Sequence, residues 1–188
     1  MLVQKIIVVM LFVLPNLALA SPKVSVDTQY YEIAGSSAKE LRRELNAKRK
    51  MLPSGKKFDA YTRWRVRWQY RWTTHGPICK MKQVTTSVNI TFMLPQWTNR
   101  EDADDSLRRH WDRYYTALLK HEDGHKQTGV DAATEIQTEL LKLQADSCQQ
   151  LETNANALGH QIIKKYNLRD IEFDKNTNHG IKDGAVFP

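Results

Sequence analysis

The stretch LLKHEDGHKQTGVD (118–131) places His121 and His125 four residues apart, with Glu122 directly after the first. On a helix, residues at that spacing share a face about one turn apart. Two imidazoles so placed can hold one zinc ion at tetrahedral angles. The glutamate projects beside the metal, where it can take a proton from the attacking water and pass it to a leaving amine. Zinc lowers the pKa of its bound water and polarises the carbonyl under attack. The chemistry expected of HExxH here is amide hydrolysis, with His121 and His125 as ligands and Glu122 as general base. The plain alternative is two solvated histidines and a glutamate on a helix surface. The flanking residues weigh against it: Trp111, Tyr115, Leu118, Glu122 and His125 fall on one helical stripe. Charged groups that continue an aromatic stripe into a core are costly unless paired or metal-bound. Gly124, inside the motif, costs about 1 kcal/mol of helix propensity and suggests close approach of another backbone or of a substrate.

A catalytic zinc usually takes three protein ligands and keeps one open position. The third ligand is sought first in the terminal stretch EFDKNTNHG, where His179 precedes Gly180 in what reads as an irregular polar loop. Such loops commonly carry site residues. His179 is the favoured ligand, or else a donor to the oxyanion. Asp131 competes if the helix breaks at Thr128-Gly129, and rotates away if it does not. Asp174 and His160 are further candidates. Glu135 lies on the right face but about 20 Å along the axis. His75 and His110 have no partner at ligand spacing and read as surface residues.

The elements that must position these residues are legible as patterns. VSVDTQYYEI (24–33) alternates like a strand. SSAKELRRELNAKRKM (36–51) reads as an amphipathic helix, with Ser36 or Ser37 as N-cap and Glu40 placed for a capping box. LPSGKKF (52–58) reads as a loop. In YTRWRVRWQYRW (61–72), Thr62, Trp64, Val66, Trp68, Tyr70 and Trp72 alternate with Arg63, Arg65, Arg67, Gln69 and Arg71. That is a period-two strand with one aromatic and one cationic face. A turn at 74–79 and a second strand ended by Pro95 complete a hairpin or meander. A long helix begins near 98–106, with Asp102, Asp104 and Asp105 favourable to its dipole. Helix continues or resumes over 128–148, another spans about 149–165, and the tail from Asp170 reads as irregular. The fold expected is α+β: a small antiparallel sheet packed on helices, with the HExxH motif on an active-site helix.

The first twenty residues, MLVQKIIVVMLFVLPNLALA, have a charged start at Lys5, a short apolar run and a small-x-small cleavage pattern at Ala18–Ala20. They read as a cleaved secretory signal peptide. The run is shorter than the roughly 20 residues a bilayer span needs, so no stable membrane anchor is expected after cleavage. Residues 21–188 then form one domain, long enough to bury a core. The expected location is the periplasm or the outside of a bacterial cell. Over all 188 residues, 28 basic and 21 acidic residues give a net charge of +7, which suits an anionic surface partner. Export argues against nucleic acid. Cys79 and Cys148 are an even pair in an exported chain and are expected to form one disulfide, worth about 4 kcal/mol by loop closure.

Taken in order, YTRWRVRWQY, a cysteine after the turn, MLPQW, a helical tryptophan before HEDGH, Cys148 and the terminal FDKNTNHG resemble the bacterial family of predicted secreted zinc-dependent proteases. The resemblance covers most of residues 21–188. It implies a zincin-like metallopeptidase with His121 and His125 as zinc ligands and Glu122 as base. It also draws attention to Asp174, Thr177, His179 and Gly180. Two functions remain in play. The first is a zinc-dependent peptidase acting on a peptide or protein substrate, including one of the cell envelope. The second is a non-catalytic envelope binding module that uses the basic strand face, with a structural metal or none.

Overall fold

The computed structural model describes residues 21–49 and 57–187. The stretch read as a signal peptide lies outside the described residues, as does most of the 52–58 loop. Four strands and three helices follow one another in the order β1 (Lys23–Ile33), α1 (Ala38–Lys48), β2 (Tyr61–His75), β3 (Ile78–Trp97), α2 (Asp105–Leu141), β4 (Gln144–Ala145) and α3 (Cys148–Thr177). Short 3-10 turns at Arg100–Asp102 and Ile181–Asp183 complete the chain. The α+β class stands.

The sheet order is β1-β3-β2, and β4 adds a short pairing to β3. The hairpin read from the sequence is present: β2 runs antiparallel to β3, with Trp64 opposite Ile90 and Trp68 opposite Thr86. The purely antiparallel sheet is not. β1 runs parallel to β3, pairing Val24 with Val88 and Ile33 with Trp97. A parallel pair needs a crossover, and α1 lies in the connection that supplies it. Pro95 does not end β3, which runs on to Trp97. Beyond Met93, β3 has no β2 partner, so the proline sits where one flank of the strand is free.

One face of the sheet carries the helices. Trp64 and Trp68 project into it, and their indole N–H groups donate to Asp170 Oδ2 at 3.0 Å and Asn156 Oδ1 at 3.2 Å, both on α3. Gly129 on α2 and Gly159 on α3 make room for these side chains, since a Cβ at Gly129 would sit 2.7 Å from Trp64 Cβ and one at Gly159 2.7 Å from Trp68 Cζ2. The opposite face is open, and Arg63, Arg65, Arg67 and Arg71 are exposed on it. The alternation fails at the end of β2. A bulge between Arg71 and Trp72 shifts the register, and Trp72 is exposed rather than packed.

α2 is unbroken for 37 residues, about 55 Å at 1.5 Å per residue. Asp104 caps it by accepting from Leu107 N–H at 2.8 Å. The helix spans two cores. Its first half packs Leu107, Trp111, Tyr114 and Leu118 with Ile33, Leu41, Leu45, Leu94, Trp97 and Phe187. Its second half packs Ala132, Ala133, Ile136 and Leu140 with Val66, Val88, Ile90, Leu151 and Ile162. His121, Glu122 and His125 fall between the two. In α1, Ser37 is the cap and accepts from Glu40 N–H, while the Glu40 carboxylate reaches back to Ser36 N–H at 2.8 Å. The expected Cys79–Cys148 disulfide is formed, with Cα atoms 5.1 Å apart.

Candidate metal centre

α3 differs from expectation where it matters most. The helix does not stop near 165 but continues to Thr177, so Asp170 and Asp174 lie on one helical face and not in a loop. That face packs against the HExxH turn of α2. His121 Nε2 and His125 Nε2 are 3.3 Å apart. Asp174 Oδ1 lies 3.2 Å from the first and 3.1 Å from the second. His121, His125 and Asp174 thus form a three-donor group that could hold a metal ion. Tetrahedral coordination at zinc–ligand bonds of about 2.0–2.1 Å needs donor–donor edges of about 3.3 Å, so the triangle fits a zinc-sized ion.

Tautomer logic supports the fit. His125 Nδ1 faces Asp170 Oδ1 at 2.8 Å, so its proton belongs there, and a neutral ring turns the lone pair of Nε2 towards a carboxylate. That is repulsive unless a proton or a cation lies between. In the metal-free chain, burial lowers the His125 pKa, but hydrogen bonds to Asp170 and Asp174 together overcome this and raise it to about 10. Burial also works to raise the Asp174 carboxyl, yet the two imidazoles hold it well below the usual aspartate value. A cation shared by the three groups would do the work of that proton.

The supporting groups come from several elements. Asp170 receives both His125 Nδ1 and the Trp64 indole, tying the ligand turn to β2. His121 Nδ1 is buried without a hydrogen-bond partner among the described residues, and the Asp183 carboxylate stands 3.5 Å away. Phe173 stacks on His121, with centroids 4.9 Å apart and an interplanar angle of 14°, and meets His125 edge-on. Gly124 permits this: a Cβ there would lie 2.6 Å from Phe173 Cζ. The close approach at Gly124 is therefore made by a side-chain ring of α3, not by the backbone or substrate expected there.

Glu122 is only 3% exposed. Thr62, at the start of β2, donates its hydroxyl to Glu122 Oε2 at 2.6 Å. Burial pushes the Glu122 carboxyl above the usual glutamate value, against the Thr62 hydrogen bond and both histidines. A carboxyl raised in this way is a better proton acceptor at neutral pH. His121, Glu122 and His125 all line a cavity of about 500 Å³, together with Thr62, Asp174 and His179.

His179 is brought to the site but not into the donor group. Its Nδ1 stands 3.4 Å from the other oxygen of Asp174, and its ring packs 4.6 Å from Phe58. Asn178 and His179 have positive φ, as does Gly180. These left-handed residues end α3 and turn the chain back, which brings Asp183 to His121. Asp131 points away, bound to Gln127 and Arg169, because α2 does not break at Gly129. Glu135 pairs with Lys165 and Tyr166. His160 is exposed at the edge of Trp68. His110 is half-buried against Phe187, not a free surface residue, and His75 is exposed.

The sequence alone does not mark Thr62, Asp170 or Phe173 as site residues. Asp170 and Asp174 carried a signal: they are four apart, the same spacing as the two histidines.

The fold and this donor set define an α+β protein with a His–His–Asp site suited to a metal ion. Residues 28–180 match the family described as "Bacterial protein of unknown function (DUF922)", and the chain belongs to that family. No curated protein and no solved structure matches the chain.

Proposed function

We propose that the protein is an exported, zincin-like, zinc-dependent peptidase. The observation that carries this reading is the triangle of His121, His125 and Asp174 donor atoms, with edges of 3.1–3.3 Å, on a cavity that also receives buried Glu122. Export is supported by the N-terminal sequence pattern and the disulfide. No helix among the described residues is long and apolar enough to cross a membrane.

When bound, zinc supplies Lewis acidity towards a water and a substrate carbonyl. The chain supplies the rest. His121, His125 and Asp174 are the ligands in this reading, and Asp170 fixes the His125 tautomer. Glu122 takes the proton of the attacking water and returns it to the leaving nitrogen. Thr62 holds the Glu122 carboxylate towards the cavity while the two protein cores on either side keep it desolvated. His179, on the cavity wall beside Asp174, is placed to donate to the developing oxyanion. The outer edge of β2 begins at the cavity, with Tyr61 and Thr62 in its lining, so an extended substrate could add to it as a strand.

The test is hydrolysis of an unbiased mixture of unfolded protein fragments by the zinc-loaded protein. Glu122→Gln is expected to keep its zinc and lose about 10²–10⁴-fold in rate, the usual worth of a positioned general base. An unchanged rate in Glu122→Gln would remove the glutamate from the mechanism. A second reading, an envelope binding module, draws on the exposed arginines of β2. It gives no account of a buried carboxylate facing a cavity.

A further inference from the structure

The cavity has a second charged corner. Asp59, just before β2, is a carboxylate shared by two guanidinium groups. Arg42 binds it with two nitrogens, at 3.1 and 2.8 Å, and the Tyr114 hydroxyl donates to it at 2.9 Å. Arg49 reaches it only at 3.6 Å. The Asp59 side chain is 14% exposed, so little of it is left for water. Yet Arg42 Nε and Arg49 Nε are both buried without a hydrogen-bond partner among the described residues. Arg42, Arg49 and Lys57 all line the cavity that contains His121 and Glu122. Arg42 takes both oxygens of Asp59, while Arg49 stands outside hydrogen-bond distance of it with its side chain still 29% exposed. A guanidinium on the cavity wall with no acceptor at hydrogen-bond distance is a reason to look for an acceptor that enters the cavity.

We propose that Arg49, supported by Arg42, forms a carboxylate-binding subsite, so that the substrate is a peptide with a carboxylate near the bond that is cut. A planar guanidinium with free N–H donors suits a carboxylate. Two rulers set the distance. Asp59 is three residues from Thr62, at most about 10 Å along the chain. Tyr114, which touches Asp59, is about 12 Å along α2 from Glu122. An extended peptide covers that in about three residues. The carboxylate is therefore an acidic side chain, or the C-terminus itself, about three residues from the scissile bond. This inference rests on the peptidase reading for the word scissile, but not for the binding it asserts.

The experiment has two arms, each run with the zinc-loaded wild type and Arg49→Gln. In the first, products from a proteome-derived peptide mixture are sequenced by mass spectrometry. The wild type is expected to enrich Asp, Glu or a chain end about three residues from the cut, and Arg49→Gln to lose that enrichment while still cutting other peptides. In the second, calorimetry measures binding of three hexapeptides: one with Glu and an amidated end, one with Gln and a free end, and one with Gln and an amidated end. Carboxylate-bearing peptides are expected to bind about tenfold tighter or more than the neutral one, the worth of a charge-assisted hydrogen bond. Arg49→Gln is expected to erase the difference. The zinc site is the same in both proteins, so a carboxylate held only by the metal would show no such loss. Comparing the first two peptides separates side chain from C-terminus. Arg49→Lys, which keeps the charge but not the fork, is expected to retain part of the preference and serves if Arg49→Gln misfolds. No carboxylate preference in the binding arm, or one that survives in Arg49→Gln, overturns the subsite even if peptides are cut. A preference lost in Arg49→Gln, with no cleavage in the first arm, would keep the subsite and remove the peptidase.

Discussion

Asp174 and His179 stand five residues apart, and only Asp174 reaches both imidazoles. Its Oδ1 is within 3.2 Å of each Nε2, while His179 touches its other oxygen. Removing Asp174 takes away one of the three clustered donors; removing His179 takes away a neighbour. Asp174→Ala is therefore expected to lose zinc on dialysis, and His179→Ala to keep it, both read by elemental analysis. Asp170 acts one step further out, by holding His125 Nδ1. Asp170→Asn is expected to weaken zinc binding about 10–100-fold, the usual cost of losing such an orienting partner, measured by competition with a chelating dye. His121 and His125 were legible because their spacing matches a helical turn. Asp174 ranks behind His179 in the sequence because the nearby Asn and Gly read as a loop.

At the scale of elements, the site is a packing problem between α2 and α3. The segment 166–177 is helical because of what it touches. Asp170 receives Trp64 and His125, Phe173 lies on Gly124, and the Thr177 hydroxyl donates to the Phe173 carbonyl at 2.8 Å. Apart from that last bond, none of those partners is local in sequence, so no pattern within the segment could announce them. The parallel pairing of β1 with β3 was hidden for the same reason, whereas the β2–β3 hairpin, the cap of α1, the acidic start of α2 and the aromatic face of β2 are local patterns and were readable. Gly124→Ala tests the packing. Alanine would gain up to about 1 kcal/mol of helix propensity, but its Cβ would meet Phe173 at 2.6 Å, and overpacking typically costs about 1–3 kcal/mol. Net destabilisation is expected in urea unfolding. A Phe173→Leu background should relieve part of it, since residues in contact do not add.

The whole molecule places the site at the join of two cores along one helix. Each core is apolar and complete; the polar residues between them are held by α3, the start of β2 and the turn after Thr177. A metal at that join would bind the folded chain and not the unfolded one. At free zinc 100-fold above its dissociation constant it would add ~2.7 kcal/mol of stability, about 5–10 °C in Tm for a domain of this size. Chelation is expected to lower the melting temperature by that amount. The arginine face of the sheet lies on the other side. Replacing Arg63, Arg65, Arg67 and Arg71 by serine is expected to leave zinc content unchanged, and to abolish salt-sensitive retention on anionic polymer if such retention exists. Metal content tests the site more directly than either. Elemental analysis of the purified protein, beside His121→Ala, is predicted to find one zinc per folded chain and none in the variant. No zinc in either protein after loading, with both folded, would contradict the metal centre.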